Sequence, residues 1–245
     1  MYQPRGYRRW VQGRDLTGYT IVVKESDLYI RTCTDLSEKA CQLVKKFRND
    51  LEEYISGHPF FAAALEPFDV EPDAPLIVRE MARVARIATV GPMAAVAGTL
   101  AQLVGEELAG LSPEVIIENG GDNYIKSSHD RIVAIYAGNS PLSGRVGLEI
   151  RAEDTPLGVC TSSGTVGPSI SFGKADAAVV IAPSAALADA AATAVGNAVV
   201  TIEDIPHALE VAQSIEGLTG AIVIKGAQIG AWGKLQLCQL ESGPG

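Results

Sequence analysis

The chain has 245 residues, 47% hydrophobic and 20% charged, which is ordinary for a soluble globular protein and long enough to enclose a substantial core. Its formal net charge of −9 argues against a nucleic-acid partner, because a phosphate backbone would be repelled. No apolar core of a signal peptide is visible, and Asp176, Asp189 and Asn197 interrupt the most apolar stretch, residues 175–200, so neither secretion nor a membrane span is expected and the cytoplasm is the simplest location.

Arg5, Arg8, Arg9 and Arg14 form a basic N-terminal arm, read as a solvated segment or as a contact for a polyanion. "TIVVKESDLYIRT" reads as two strands around a Glu25-Ser26-Asp27 turn, so that arm and hairpin together fill about residues 1–34. Cys33, Cys41, Cys160 and Cys238 form no C-x-x-C pair, and neither a disulfide framework nor a zinc site is indicated. Asp35 and Glu38 match a reciprocal helix-start pattern, and Ala40, Leu43, Val44, Phe47, Leu51, Tyr54 and Ile55 recur at helical spacing. That helix, about residues 36–56, ends at Gly57 and Pro59, and "LEPFDVEPDAP" (65–75) follows as an acidic loop.

Pro75 opens a second helix to about residue 88, and Pro92 a third to about residue 109. The third carries Ala94, Ala95, Ala97, Gly98 and Ala101, small enough to let another backbone or a ligand lie close. From Glu114 onward the pattern turns to strands. "VIIENGGDNYIKS" is strand, tight turn, strand, with Gly120-Gly121 supplying positive φ. "RIVAIYAG", "RVGLEIRAE", "GVCTS" and "SISFG" read as further strands, and "AAVVIA" as a buried one. Ser184 then caps an alanine-rich helix, and "GAIVIKG" and "KLQLCQL" close the chain as strands. Helices followed by mainly antiparallel strands predict an α+β fold, read as one domain over residues 1–245.

Three places carry candidate chemistry. Asn119, Gly120, Gly121 and Asp122 follow an apolar strand; they suit an ordinary tight turn, or a ligand held by backbone amides and the Asn and Asp side chains. Thr161, Ser162, Ser163 and Thr165 set four hydroxyls beside Gly164 and Gly167, a turn able to cradle a phosphate, although its spacing is not that of a Walker loop. Cys160 adjoins it, as a buried small hydrophobe or as a nucleophile if a cation such as Lys174 or His129 lowers its pKa. Asp189 and Thr193 lie one turn apart on the alanine helix. They could hold a hard cation such as magnesium, or Asp189 could serve the helix dipole while Thr193 bonds backward to a carbonyl.

Together the three places resemble the ApbE family, flavin transferases that attach FMN from FAD to a protein threonine. A Gly-Gly-Asp-like turn, a Thr-Ser-Gly turn and an Asp-x-x-x-Thr helix line the family's flavin-nucleotide and magnesium pocket in that chain order. The likeness covers roughly residues 81–197, where "VGPMAAVAG" looks like the start of the family's small-residue helix. The whole chain resembles a separate branch of that superfamily, carrying "ENGGD", "CTSSGT", "SFGKAD" and "LADAAAT". It departs from the transferases where "EDTPLG" stands in place of Asp-Pro-x-Thr-Gly and Val90-Gly91-Pro92 in place of the Lys-Gly turn. The resemblance therefore implies the ApbE-like fold and a pocket for a flavin nucleotide or other phosphate-containing small molecule, with magnesium on Asp189 and Thr193, more strongly than it implies FMN transfer. Thiol chemistry at Cys160, as persulfide or acyl carrier, and ligand binding without catalysis are the alternatives. A homodimer is compatible with this reading, though no residue argues for one.

Overall fold

The computed structural model describes residues 15–165 and 172–240. Eight strands form one antiparallel sheet in the order β1-β2-β3-β4-β7-β8-β9-β10. They are β1 (Thr17–Val23), β2 (Ser26–Thr32), β3 (Val115–Asn119), β4 (Asp122–Lys126), β7 (Leu157–Ser162), β8 (Ala177–Ala182), β9 (Gly220–Lys225) and β10 (Gln228–Gly233). The excursion between β4 and β7 supplies β5 (Arg131–Ala134) and β6 (Val146–Ile150), which join β11 (Leu237–Gln239) in a second, three-stranded antiparallel sheet. Six helices, α1 (Ser37–Gly57), α2 (Pro59–Ala63), α3 (Leu76–Ala88), α4 (Val96–Leu108), α5 (Ala185–Asn197) and α6 (Ile205–Ser214), complete the α+β fold.

Strand alternation builds two cores on one sheet. Ile117, Tyr124, Cys160 and Val180 point into a core shared with the helices. Their neighbours Ile116, Ile125, Val159 and Val179 point the other way, into a core closed by the small sheet. The molecule therefore has three layers, and a residue's parity along a strand decides which core it enters.

Several elements depart from the sequence reading. The first hairpin turns at Lys24-Glu25, with Val23 opposite Ser26 and Lys24 at φ 52, so Ser26 and Asp27 belong to β2. A two-residue turn matches the twist of its strands and wins over the longer one. The reciprocal cap of Asp35 and Glu38 does not form: Leu36 is the N-cap, and Asp35 Oδ1 instead accepts from the Ser37 amide at 2.8 Å. The helix expected from Pro92 is broken into a 3₁₀ turn, Pro92–Ala95, and α4. Helices α2 and α6 and strand β10 were not anticipated; α6 buries only Ile205, Ala208 and Ala212, and β10 is an exposed, glycine-bearing edge. Of the expected strand "SISFG", residues 169–171 lie outside the described residues and Phe172 and Gly173 are not strand. Gly167 and the four arginines of the N-terminal arm also lie outside them. No single helix among the described residues is long and apolar enough to cross a membrane.

Helix α5 is the wedge of the structure. Ten of its residues are buried, six of them alanine, against α4 on one side and β7 and β8 on the other. Its start touches backbone on both sides: a Cβ at Gly158 would sit 2.3 Å from Ala185 Cα, and one at Gly98 would sit 2.4 Å from the Ala185 carbonyl oxygen. The small residues of α4 thus admit another helix. Gly158→Val should lower unfolding free energy by about 3 kcal/mol in denaturant melts, because neither partner is a side chain that can swing aside. Gly57→Ala, where nothing lies within 4 Å, should be neutral or slightly stabilising.

Candidate functional site

The turn between β3 and β4 pairs Asn119 directly with Asp122, leaving Gly120 and Gly121 at φ 73 and 115. Only residues that tolerate positive φ make this two-residue connection, so the glycine pair aims the flanking side chains. Asn119 Nδ2 donates to the Ala97 carbonyl at 3.1 Å, tying the turn to the start of α4. Asp122 Oδ1 accepts from the Thr161 amide at 3.3 Å, tying it to the end of β7.

Asp189 reaches the same place from α5. Its Oδ2 accepts from the Gly98 amide at 2.7 Å, in the first turn of α4, so a carboxyl on one helix caps the start of another. Both Asp122 and Asp189 are buried. Burial raises the Asp122 carboxyl to about 7, with the negative charge of Glu118 adding to it. Burial also pushes Asp189 well up, and the neighbouring charge of Asp122 pushes it further. Two neighbouring carboxyls raised by burial, with only backbone amides and a thiol among the described residues relieving them, form an oxygen-donor pair suited to a hard divalent cation. Thr193, half-buried one turn along α5, adds a hydroxyl from the same element.

Cys160 is fully buried. Its thiol lies 3.3 Å from the Ala185 carbonyl oxygen and against the Asp122 carboxyl. Burial and the charges of Asp122 and Asp189 push the thiol well above its ordinary value. The charges acting on it are anionic, and neither Lys174 nor His129 is among the leading influences. His129 belongs to a separate cluster, bonded through Nδ1 to Glu114 at 2.7 Å.

The hydroxyl-rich turn is divided by the sheet. Alternation sends Ser162 to the helix side with Cys160, close to Gly196 of α5, and Thr161 to the opposite side with Val159. Ser163 is half-buried and approaches Thr165 Oγ1 at 3.3 Å, while Gly164 is exposed and donates its amide to the Ala175 carbonyl at 2.9 Å. The glycine spaces here are filled by the chain: a Cβ at Gly164 would stand 2.1 Å from the Gly173 carbonyl oxygen, and one at Gly173 would stand 1.8 Å from that of Gly196. Asp122, Cys160 and Asp189 therefore lie together on the helix side of the sheet, with Asn119 tied to the start of α4 beside them and the Thr161 amide bonded to Asp122, whereas Ser162 faces the same side further along α5, beside Gly196.

Two features escaped the sequence reading. The Gly98 amide as partner of Asp189 is invisible in sequence, 91 residues away. The other is an ion cluster on the far side of the main sheet, where Arg131 donates to Asp15 at 2.7 and 2.9 Å and also binds Glu114. Asp15, Glu114 and His129 converge closely enough to suggest a cation site, but the Arg131 guanidinium already supplies the positive charge. It holds Asp15 down at about 2. Against the burial that would raise it, hydrogen bonds from Ser128, Arg131 and Ser127 hold Glu114 down at about 2 as well. A charged residue opening an apolar strand, as Glu114 does in "PEVII", was the available signal.

These opposite shifts separate by pH. Asp15 and Glu114 stabilise the fold above their ordinary range, and that stability is lost as pH falls toward 2. Asp122 acts in reverse: the folded state keeps its proton to higher pH than the unfolded chain, so stability falls as pH rises from about 4 to about 7. The metal-free loss should approach roughly 4 kcal/mol at most. Denaturant titrations across this window should show the slope in the parent chain and a shallower one in Asp122→Asn, where Asp189 is still raised by burial; superimposable profiles would refute the assignment.

A family model described as AbpE bacteria matches residues 8–236. A UPF0280 protein of Methanocella arvoryzae is 40% identical over 236 residues, covering 96% of this chain and 93% of the relative. A UPF0280 protein of Methanosarcina acetivorans is 43% identical over 200 residues, covering 81% and 79%. Among solved structures, the apo flavinyl transferase ApbE of Pseudomonas stutzeri superposes with a TM-score of 0.59 at 15% identity, covering 89% of this chain and 93% of that one. The flavin transferase ApbE of Vibrio cholerae gives 0.58 at 11% identity, covering 89% and 96%. At these identities the likeness establishes the fold.

Proposed function

We propose, since this chain belongs to the AbpE bacteria family, that it binds a flavin nucleotide together with magnesium and acts on the nucleotide's pyrophosphate. The observation that carries the reading is the pair of buried neighbouring carboxyls, Asp122 and Asp189, both raised by burial, with the charge of Asp122 adding to the rise at Asp189. A divalent cation would relieve that repulsion, and its hard oxygen preference matches the donors present. Asp189 and Thr193 would hold the ion, with Asp122 facing it from the glycine turn. The flavin part of the reading rests on the fold shared with the two flavin transferases.

The bound ion would supply charge neutralisation for a pyrophosphate and polarise its phosphorus–oxygen bonds. The chain's own residues set the stage for it. Asn119 and the Asp189–Gly98 bond fix the start of α4 against the glycine turn, so the carboxyls are positioned before a ligand arrives. Ser162 and Ser163 offer hydroxyls to the ligand's oxygens from β7 and the turn after it. The lysine of the family's Lys-Gly turn is absent, since Val90-Gly91-Pro92 stands there, so the pocket carries over more firmly than transfer to a protein threonine. Cys160 is given a packing role in this proposal, because a buried thiol facing two carboxyls stays protonated.

Thermal shift with FAD, FMN, ADP and ATP, each with and without magnesium, tests the proposal. FAD with magnesium should raise Tm, and FAD alone should do so much less. Thr193→Ala should abolish the magnesium dependence while leaving the ligand-free Tm near that of the parent; Asp189→Ala should abolish it too, with a lower starting Tm because the Gly98 amide loses its partner. AMP and FMN release then distinguishes an enzyme from a binder. If no nucleotide moves Tm in the presence of magnesium, the proposal fails.

A further inference from the structure

The first turns of α4 and α5 meet, and each is held by a side chain from the other helix. Asp189, on the second turn of α5, accepts from the Gly98 amide in the first turn of α4. Gln102, on the second turn of α4, reaches back to the start of α5. Its Oε1 accepts from the Ala186 amide at 3.1 Å and from the Ser184 hydroxyl at 2.9 Å. Amides in a first turn have no partner within their own helix, so each exchange fills a need that helix geometry creates.

Gln102 is fixed in this role from both ends. The Ala186 amide can only donate, so the side-chain atom facing it is the oxygen. Its Nε2 donates to Glu106 Oε1 at 2.9 Å, one turn further along α4, which holds the plane of the side-chain amide. The Ser184 hydrogen goes to Gln102, leaving the hydroxyl oxygen to accept from the Leu187 amide at 3.1 Å. The N-cap of α5 is thus oriented by a residue of another helix.

The position of Asp189 follows from that hold. Between Ala185 and Ala192 it is the one polar side chain, and alanine methyl groups make no directional bonds. The directional bonds of this segment gather at its start, where Gln102 takes Ser184 and Ala186 and the Cys160 thiol takes the Ala185 carbonyl. Ala186 lies three residues before Asp189, about 4.5 Å along the helix axis. A slip or turn at Ala186 is therefore carried directly to the carboxyl.

We propose that Gln102 is a positioning residue for Asp189, its grip on the start of α5 keeping the carboxyl on the Gly98 amide and so in place for an ion. The consequence for magnesium and nucleotide rests on the function proposed above; the geometry of Asp189 and Gly98 does not.

Amide hydrogen exchange of the full, metal-free chain tests the geometry. Gln102→Met keeps the length and helix propensity of the side chain while removing its acceptor. It should lower protection of the Gly98 amide about tenfold beyond any change at Val180, a buried amide of β8 that reports general stability. Gln102→Glu retains an oxygen at the same reach and should return Gly98 to within about twofold of the parent. Magnesium-dependent FAD binding should weaken about tenfold in Gln102→Met and recover in Gln102→Glu. The proposal is overturned if Gly98 and Val180 change together, or if Gln102→Glu leaves Gly98 as exposed to exchange as Gln102→Met does. A parent chain that binds no nucleotide would remove the nucleotide reading alone, with Gly98 exchange still deciding what holds Asp189.

Discussion

The hydrogen bond from the Gly98 amide to the Asp189 carboxyl joins the two helices around which everything else is arranged. The first amides of a helix have no partners within it, and a carboxyl supplies both an acceptor and the charge that the helix dipole favours. For α5 to deliver that carboxyl, α4 and β7 must both come to backbone contact with it, which requires Gly98 and Gly158 to lack side chains. The same approach buries the carboxyl and so makes its charge costly. Close packing of the wedge and the raised carboxyl it buries are one constraint seen twice.

The main sheet has a different polar group on each face. On the helix side Asp122 and Asp189 are raised, with no guanidinium of the described residues among the leading groups acting on them. On the other side Asp15 is lowered by a buried arginine, and Glu114 by hydrogen bonds from Ser128 and that same arginine. A carboxylate already paired in this way is a structural anchor, and it resists acid until it is protonated. A carboxyl pair held without such a partner is under electrostatic stress, which a bound cation would remove. The contrast separates the two clusters more clearly than the residue types they contain.

Local chemistry made much of the architecture legible in the sequence. The glycine pair after "VIIEN", the hydroxyl of Ser184 and the apolar spacing of α1 each report on the few residues around them, and the structure places a turn, a cap and a helix there. What stayed hidden depended on distant partners. Asp189 was identifiable as a carboxylate on an apolar helix, but its amide partner lies 91 residues earlier. Gly164 read in sequence as open space beside hydroxyls, and that space proved to be taken by the Gly173 backbone. Thr161 and Ser162 read as one cluster of hydroxyls until strand parity sent them to opposite faces. Helix α6 gave only three buried positions and β10 an exposed edge, too little contrast for periodicity to detect.

The small sheet is assembled from unequal parts of the chain. Its β5 and β6 leave the main sheet between two adjacent strands, whereas β11 comes some ninety residues later. During synthesis the helical core can therefore close around α1 to α5 while the inter-sheet core still lacks its last strand. Until β11 emerges from the ribosome, one edge of β6 stands unpaired, offering open backbone to any neighbouring chain. The last of the described strands is thus a protective one for the nascent protein, a service distinct from any chemistry the finished molecule performs.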